Sequence, residues 1–542
     1  MQDWRRRAEY DQPDLLPADF CKVFRKLRRK RKLDADGLCV AVFEAMFDAD
    51  ECAFTSWIRC MVSCSSFMSS LRASCQVFGK TSMHSCPDDL RALVPMSSLL
   101  RIIDFVLGVR LAYSLETALP LVPGCFAAGQ PFTQALDVGH SANLLMEKAL
   151  DLESAGALAQ ADVAKYFDHL PILSILQWLL RRGVKMSLLA AIGRHQLLPT
   201  VVVRVADKSA VIPVRSSGGL TGSWLALLLA RVPIESTFLE LAPSLKHSAF
   251  KVDDVRLMVS SYIDNIYTFS STKSGATLNL ELFFAHLRDS WGLVAKLGSK
   301  YVMAAKGAPS DGVVGDGWQD VEHCDILGWT IQHDAGLSKQ WAKLVPKLWG
   351  VFYANLRQLG WVKLAVKRQF SLLSRTVEPT ALRALSTWGP TPHYVESLNR
   401  LQRKMVATLL RMWKYPGEEW RHFRSRQSRA AGPCIEDNGE WWARKWMQRC
   451  VRWDKHLHRD YQEQEELLSC ASVQSAQLFK TRLSWAPQLI NYLDENWFRE
   501  HRTISSYHQG RSVSSRTDTR VVRGAVLARW HDRVSFALSN SL

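Results

Sequence analysis

The chain has 542 residues, of which 47% are hydrophobic and 22% are charged, and its formal net charge is +17. This is the composition of a globular protein with about two to four structural units, and no apolar run reaches the roughly eighteen residues of a membrane span. Residues 1–16 lack the apolar centre of a secretory signal, which predicts an intracellular protein with its 12 cysteines reduced. The positive charge fits a protein that follows a phosphate backbone, although basic proteins also bind acidic partners or membranes.

The first part of the chain combines a basic stretch with a predicted helix. Residues 26–38 are KLRRKRKLDADGL, and such a charge run usually lies on a solvated surface. Apolar residues three and four positions apart predict a helix that begins near Ser141.

A strand that ends in a carboxylate is predicted in the middle of the chain. Residues 157–161 are small or apolar and lead into Asp162, and a cluster of polar and aromatic residues follows. A helix over residues 173–182 and two strands around Asp207 and Lys208 are predicted next.

Residues 216–223, SSGGLTGS, are a glycine-rich loop that precedes a helix predicted from Trp224. Glycine at positions 218, 219 and 222 would let the backbone of this loop approach a neighbouring group closely. The ordinary alternative is a flexible loop at the start of a helix.

Residues 258–270, MVSSYIDNIYTFS, contain two segments with alternating side chains, separated by polar residues. This pattern predicts a half-buried β-hairpin with Asp264 and Asn265 as its turn, and such residues are ordinary turn formers. Asp162 and Asp264 at the ends of two adjacent strands would also hold two divalent ions about 3.5–4 Å apart, the arrangement that catalyses in-line displacement at phosphorus.

The rest of the chain is predicted to be mainly helical and basic. An amphipathic helix is predicted over residues 278–287 and a series of basic helices over 341–415. Residues 421–433 are predicted to be a linker. The tryptophans within residues 440–460 have helical spacing, which favours a place in the core over stacking on bases.

Five short motifs follow one another between residues 162 and 329, namely DVAKYFD, SGGLTGS, YIDN, GLVAKLGSK and LGW. Their order resembles that of the palm motifs of reverse transcriptases, in particular those of non-LTR (LINE-type) retrotransposons. The resemblance implies an α+β right-hand polymerase with an antiparallel palm sheet, a helical thumb and a helical C-terminal extension. The implied divisions are an N-terminal extension with fingers at 1–145, the palm at 146–340, the thumb at 341–415, and a basic region rich in Trp and Arg at 416–542.

The resemblance also implies a reaction and its catalytic groups. An RNA-directed DNA polymerase adds deoxynucleoside triphosphates to a primer 3′-hydroxyl, with an RNA template and a DNA primer or target as partners, no membrane, and two Mg²⁺ or Mn²⁺ ions as cofactors. Asp162 and Asp264 match the metal ligands of the family. Tyr262 and Asn265 complete the second motif.

Other positions match groups that contact the nucleotide and the primer. Phe167 matches the steric gate beside the sugar, and Thr221 and Gly222 lie in the nucleotide-binding loop. Lys80 and Arg91 match residues that reach the triphosphate, since ammonium and guanidinium groups suit phosphate oxygens. The resemblance also implies an apolar helix after them, over residues 97–111, that ends in Arg-Leu. The remaining matches are the lysine proposed to protonate pyrophosphate, which is Lys300 or else Lys296, and the primer-grip strand with Leu327 and Gly328.

Three departures from the family pattern point towards lost activity. Asn265 stands where a second Asp is usual, and an amide is a poorer ligand for a hard cation. Thr221 stands where Gln is common, and Ala92-Leu93 stand where Pro-Ile is usual. The alternatives are therefore a catalytically inactive nucleic-acid-binding remnant of a mobile element and an intron-maturase-like RNA-binding protein.

Overall fold

The structure is a computed structural model that describes residues 12–449 with gaps. The residues outside the description are 1–11, 28–32, 35–36, 80–89, 123, 131–133, 152–154, 206–207, 213–214, 253–254, 309–316, 384, 386–387, 389–391, 447 and 450–542. Helices alternate with mainly antiparallel sheets along the described chain, which confirms the predicted α+β class. Among the described helices, none is long and apolar enough to cross a membrane. The right-hand arrangement and the domain boundaries stay predictions.

The helices and strands of the described residues are numbered separately in chain order. The helices are α1 (Pro17–Leu27), α2 (Val40–Ala49), α3 (Glu51–Ser63), α4 (Ser65–Ser70), α5 (Ser98–Ala118), α6 (Ala135–Asp151), α7 (Tyr166–His169), α8 (Ile172–Arg181), α9 (Met186–Leu197), α10 (Trp224–Leu245), α11 (Lys273–Trp291), α12 (Ser338–Leu359), α13 (Val366–Thr376), α14 (Glu378–Leu382), α15 (Pro392–Leu409) and α16 (Trp420–Asn438). The strands are β1 (Arg72–Gly79), β2 (Leu90–Leu93), β3 (Cys125–Ala127), β4 (Ala157–Asp162), β5 (Thr200–Val205), β6 (Lys208–Ile212), β7 (Phe250–Val252), β8 (Val255–Leu257), β9 (Val259–Tyr262), β10 (Asn265–Ser270), β11 (Tyr301–Ala304), β12 (Gln319–Asp320), β13 (His323–Ile326) and β14 (Trp329–Gln332).

Most of the predicted helices are present. The helices α5, α8 and α11 confirm those predicted over 97–111, 173–182 and 278–287. The helix α10 begins at Trp224 as predicted, and α6 begins at Ala135, earlier than the predicted start near Ser141. The strands β5 and β6 form the hairpin predicted around residues 207–208 and belong to a four-stranded sheet with the order β2-β1-β5-β6.

The central sheet has six strands in the order β12-β11-β4-β10-β9-β3. Alternate residues of its strands enter two different apolar clusters, one on each face. The first cluster takes Leu158, Tyr267, Phe269 and Met303, and the second takes Ala157, Ala159, Ala161, Ile266 and Val302. The inner strands of the sheet are therefore buried on both faces, whereas β12 at its edge is exposed, and the residues where β4 ends and β10 begins are half-buried.

The predicted half-buried hairpin was thus wrong about burial. Ser260, Ser261 and Thr268 gave the sequence its polar alternation, but all three are buried. Thr268 donates a hydrogen bond of 2.7 Å from Oγ1 to the carbonyl of Ala276 in α11, so a hydroxyl is satisfied inside the protein. Helices cover both faces of the sheet. The sequence alone does not distinguish a buried Ser or Thr whose hydroxyl has a hydrogen-bond partner from an exposed one.

The segment CDILGWTI was predicted as one primer-grip strand, but it is a hairpin of β13 and β14. Leu327 and Gly328 form its two-residue turn, with φ angles of 52° and 90°. Two positive φ angles are what the tight turns between antiparallel strands require. The short apolar run on each side of the Leu-Gly pair conceals the turn in the sequence.

The C-terminal helices extend the first apolar cluster beyond the sheet. The predicted linker at 421–433 lies within the helix α16, because Phe423, Ala431 and Ile435 recur at helical spacing and are buried. Arg and Ser on its exposed face made the segment look like a linker. Trp442 and Trp446 are fully buried, which confirms the core prediction for these two tryptophans. Trp441 is partly buried against the same cluster, and Trp453 lies outside the described residues.

Candidate active site at the end of the central sheet

Two carboxylates meet where β4 and β10 are paired. Asp162 is the last residue of β4 and lies opposite Asn265, the first residue of β10. Asp264 directly precedes β10, and its carbonyl accepts a hydrogen bond of 2.6 Å from Val163 N. The pairing therefore brings Asp162 and Asp264 side by side, as predicted for the ends of two adjacent strands.

The turn between β9 and β10 is one residue earlier than predicted. Tyr262 pairs with Asn265, so the turn consists of Ile263 and Asp264 rather than Asp264 and Asn265. Asn265 pairs with both Tyr262 and Asp162, and these two ladders hold it in the strand. Local turn preference suggested the pair Asp-Asn, and the pairing with β4 decides the register instead.

Left-handed backbone occurs beside both carboxylates. Ile263, before Asp264, has φ 62°, and Lys165, after Asp162, has φ 43°. Such a conformation is unfavourable for a residue with a Cβ, especially a β-branched one, and typically costs about 1–3 kcal/mol. Strained backbone of this kind concentrates at functional sites.

The two carboxylates carry like charges and repel each other. Burial and the charge of Asp264 raise the pKa of Asp162 above its ordinary value, and Lys296 works against the rise. The amide of Asn265 donates a hydrogen bond of 2.9 Å to Asp264 Oδ1. The site thus contains two half-buried negative groups whose repulsion a cation would relieve.

This donor set fits divalent cations that prefer oxygen ligands. Asp162 and Asp264 supply carboxylate oxygens, the ligands that Mg²⁺ and Mn²⁺ favour. Within the described ranges, no group of three or more His, Cys, Asp or Glu side chains is placed to hold a metal ion. Mg²⁺ commonly binds through one or two carboxylates together with substrate phosphates and water, so two carboxylates are sufficient for this type of site.

A loop between α11 and β11 is fastened to the end of β4. Lys296 N donates a hydrogen bond of 2.8 Å to the Asp162 carbonyl, and Asp162 N donates one of 3.1 Å to Ser299 Oγ. The Lys296 ammonium lies 3.9 Å from Asp162 Oδ2. Lys300 was predicted in preference to Lys296, and Ser299 was not predicted. The reason is that the directions of the side chains within residues 292–300 depend on the conformation of this loop.

The Lys300 side chain forms its described contacts with other residues than the two carboxylates, and its predicted role stays a prediction. Its ammonium lies 2.5 Å from Glu281 Oε1 and 5.6 Å from the centre of the Trp318 ring. Glu281 belongs to α11, and the ion pair draws the Lys300 side chain towards that helix. Lys296, in contrast, has its ammonium 3.9 Å from Asp162 Oδ2.

The glycine-rich loop packs on the segment that follows Asp162. Gly218 N donates to the Leu170 carbonyl at 2.9 Å, and Gly219 N donates to the Phe167 carbonyl at 2.8 Å. Gly218 has φ 80°, and a Cβ there would lie 2.8 Å from the Asp168 carbonyl oxygen. The first two glycines therefore allow two backbone segments of the protein to contact each other. The family resemblance predicted instead that they let the backbone approach a nucleotide. The contact joins the loop to Phe167.

Gly218→Ala is expected to lower the free energy of unfolding by about 1–3 kcal/mol, because the new Cβ meets both an unfavourable φ and a backbone oxygen. Urea unfolding of the purified chain measures the change. Gly307→Ala is the matched control, since Gly307 also has φ 80° but has no atom within 4 Å of the added Cβ. Equal losses in the two variants would contradict the close approach at Gly218.

The other end of the loop contacts the segment after β2. Val94 N donates a hydrogen bond of 3.1 Å to the Thr221 carbonyl, and Gly222 has φ 101°. Arg91 lies three residues before Val94 in β2, so its strand is joined to the loop through Thr221. Lys80 lies outside the described residues.

A buried polar network supports the loop and was not predicted. The Asp104 carboxylate accepts hydrogen bonds from the Ser223 hydroxyl and, at 2.8 Å, from Trp224 N at the start of α10. Gln196 donates 3.1 Å to Ser223 Oγ and accepts 3.1 Å from Leu220 N. A single Asp inside the apolar sequence of α5 was the available signal, because a buried carboxylate requires partners.

Leu327 and Gly328 lie in a different part of the fold from these contacts. Their hairpin packs within the first apolar cluster, where Trp329 and Ile331 are buried. A Cβ on Gly139 of α6 would lie 3.0 Å from the Trp329 ring, so the hairpin and α6 are in close contact. The hairpin thus contributes to the face of the sheet covered by α6.

Asp162→Asn is expected to raise thermal stability in EDTA at pH 7–8. The pKa of Asp162 is raised in the folded protein, so the folded state binds the proton more tightly than the unfolded chain does. The proton on Asp162 therefore stabilises the folded state at low pH, and this stabilisation is lost as the pH rises through the raised pKa. The advantage of the variant should therefore shrink as pH falls towards the ordinary carboxylate value.

Thermal unfolding followed by circular dichroism across this pH range measures the effect. Asp289→Asn is the control, because Asp289 is exposed and pairs only with its neighbour Arg288 among the described residues. An Asp162→Asn variant that is less stable than the wild type at pH 8 in EDTA would contradict the repulsion between the two carboxylates.

Comparisons with known proteins were made for sequence and for structure. No family model matches the chain, and no curated protein matches it. One similar solved structure is apo telomerase from Candida tropicalis, truncated from its C-terminal domain, with 9% identity, a TM-score of 0.33, and coverage of 48% of this chain and 53% of that one. Another is telomerase from Candida albicans in complex with a fragment of telomeric RNA, with 10% identity, a TM-score of 0.37, and coverage of 76% and 67%. The chain spans about half the length of the first structure.

Proposed function

We propose that this chain is an RNA-directed DNA polymerase of the kind encoded by non-LTR retrotransposons, with fingers, palm and thumb divided as predicted from the sequence. The observation that carries the proposal is the meeting of Asp162 and Asp264. They are 264 − 162 = 102 residues apart in the chain, yet they flank one pair of strands at the end of a buried sheet. Two converging carboxylates can hold the divalent ions that catalyse phosphoryl transfer, and strained backbone of the kind found beside them clusters at functional sites.

Asp162 and Asp264 are the proposed ligands of two Mg²⁺ or Mn²⁺ ions. When bound, such ions lower the pKa of an attacking hydroxyl and stabilise the charge of the leaving pyrophosphate. Asn265 keeps its hydrogen bond to Asp264 and thereby orients that carboxylate. Asn265 therefore lies beside the metal site but lacks the negative charge of the Asp that is usual at this position.

Lys296 is the proposed cationic group of the site. Its ammonium is 3.9 Å from Asp162 Oδ2 and its side chain is 61% exposed, so it can turn towards a substrate phosphate. We propose that Lys296 neutralises or protonates the departing pyrophosphate, the role first assigned to Lys300. The loop that holds Asp162 through Ser299 also carries this lysine.

The contacts around the glycine-rich loop support a nucleotide site next to the carboxylates. Phe167 follows Asp162 by five residues and is joined to the loop through its carbonyl. Thr221 joins the same loop to the segment after β2, which carries Arg91. We propose that Phe167 contacts the sugar of the incoming deoxynucleotide and that Arg91 and Lys80 bind its phosphates.

Template-directed incorporation tests the proposal. The full chain is mixed with a DNA primer on RNA templates that differ in the first unpaired base, together with Mg²⁺ or Mn²⁺ and one deoxynucleotide at a time. Incorporation should follow the complement of the templating base. Absence of incorporation, with the primer–template still bound, would overturn the proposal and support the inactive remnant.

The inactive remnant is the second candidate function because of Asn265. An amide at this position removes one negative charge from a site that has two carboxylates among the described residues. A chain of this kind would keep the basic surfaces for nucleic acid while its divalent ions bind weakly. The incorporation experiment separates the two candidates.

A further inference from the structure

Three large aromatic side chains are exposed to water in the connection between α15 and α16 and at the first residue of α16. Trp413, Tyr415 and Trp420 are 65%, 62% and 63% exposed. They fall within eight residues of sequence (420 − 413 + 1 = 8). Clustered exposed aromatic surface marks an interaction site more often than scattered single side chains do. We refer to these three residues as the aromatic tip.

The backbone of the aromatic tip is held in place although its rings are exposed. Arg426 in α16 donates hydrogen bonds of 2.8 Å from Nη2 to the Trp413 carbonyl and to Glu418 Oε2. Glu418 in turn accepts a hydrogen bond of 3.0 Å from Tyr415 N. The rings are therefore presented on a fixed loop, and a partner that binds them need not order the loop first.

The charges around the aromatic tip favour an acidic partner. Residues 411–430 contain six Lys or Arg and two Glu, a net charge of 6 − 2 = +4. Lys414 lies 5.5 Å from the centre of the Trp420 ring, and Arg426 lies 4.1 Å from that of Tyr415. Lys414, Arg421 and Arg424 are exposed, and the two arginines follow Trp420 by one and four positions in the chain. Flat rings among cations suit a ligand with both phosphates and flat bases.

The rest of the chain is a less suitable occupant. Residues 450–542 contain 13 Lys or Arg and 10 Asp or Glu, so their net charge is 13 − 10 = +3, of the same sign as the tip. A purely apolar protein segment would leave the cations around the rings without partners. The combination of rings and positive charge therefore favours nucleic acid with unpaired bases.

We infer that the aromatic tip is a stacking platform for single-stranded nucleic acid, with Lys414, Arg421 and Arg424 placed to contact its phosphates. The inference rests on the proposed function only for the source of the strand, which would be unpaired template or target. Binding is measured without polymerisation. A chain that holds the strand but does not extend a primer would refute the proposed function and leave this inference standing.

The experiment compares two labelled strands of about 16 nucleotides, one with bases and one with abasic sugars throughout, by fluorescence anisotropy with the full chain. Both strands have the same phosphates, so only the first can stack. Trp413→Ala/Tyr415→Ala/Trp420→Ala should weaken binding of the strand with bases at least about tenfold and leave the abasic strand unchanged. Tyr113→Ala is the matched control, because Tyr113 is a 49% exposed aromatic residue on α5, and binding should not change.

Unchanged binding of the strand with bases by the triple variant would overturn the inference, as would an equal loss for both strands. If the triple variant no longer bound anionic vesicles but still bound the strand with bases, the aromatic tip would be assigned to a membrane instead. Circular dichroism checks the fold of each variant. If the triple variant is unfolded, Trp420→Leu keeps an apolar side chain and removes the flat ring, and it should still weaken only the strand with bases.

Discussion

Asp264→Asn is expected to lower the rate of primer extension by at least about a hundredfold, because it removes one of the two carboxylates proposed to hold divalent ions. Asn265 already contributes an amide at the next position, so the variant would present two amides where the reaction requires negative oxygen. The strand pairing should survive, since the contact of this residue with β4 is made by its carbonyl. Single-turnover extension at saturating primer–template measures the rate.

Asp289→Asn is the control for this prediction. It makes the same chemical change at an exposed position in α11, where the carboxylate pairs with Arg288, and it should leave extension unchanged. Asp162→Asn should match the loss in Asp264→Asn, because both ligands serve the same ions. A rate for Asp264→Asn above about a tenth of the wild-type rate would rule out the pair as the metal site.

Asn265→Asp is expected to have opposite effects on activity and on stability. At limiting Mg²⁺, extension should increase about tenfold or more, since a third carboxylate strengthens the binding of a hard cation. In EDTA, the free energy of unfolding should fall by about 1–3 kcal/mol. Asp264 loses its hydrogen-bond donor and gains a like charge beside it.

Extension across a Mg²⁺ titration and urea unfolding with and without Mg²⁺ measure the two effects. Asn265→Ala is the matched control, because it removes the amide without adding a charge. It should lose stability in EDTA without gaining activity at low Mg²⁺. If Asn265→Asp leaves the Mg²⁺ dependence of extension unchanged, this position is not beside the metal ions.

Much of the local structure could be predicted from the sequence. The strand that ends at Asp162, the strands on either side of Asp264 and the helix from Trp224 depend on short-range periodicity, and the structure contains each of them. The pairing of β4 with β10 joins residues far apart in the chain, so short-range periodicity does not indicate it. The meeting of the two Asp residues was therefore predicted from the order of the motifs.

Features that depend on tertiary contacts were not predictable in this way. The turn at Ile263 and Asp264 is set by the ladder between Asn265 and Asp162, which overrides the preference of Asp-Asn for turns. Lys300 turns to Glu281 because α11 lies beside it. The support of the glycine-rich loop by Asp104 joins elements 119 residues apart (223 − 104), and no local pattern indicates such a contact.

Binding of Mn²⁺ to the full chain tests most directly whether Asp162 and Asp264 together form a metal site. Electron paramagnetic resonance measures free Mn²⁺ during a titration without nucleotide, so that no triphosphate competes for the ion. We predict that each single Asp→Asn change weakens binding at least about tenfold and that the double change removes it, whereas Asp289→Asn has no effect. Equal Mn²⁺ binding by the wild type and the double variant would contradict the proposed site, and with it the polymerase mechanism.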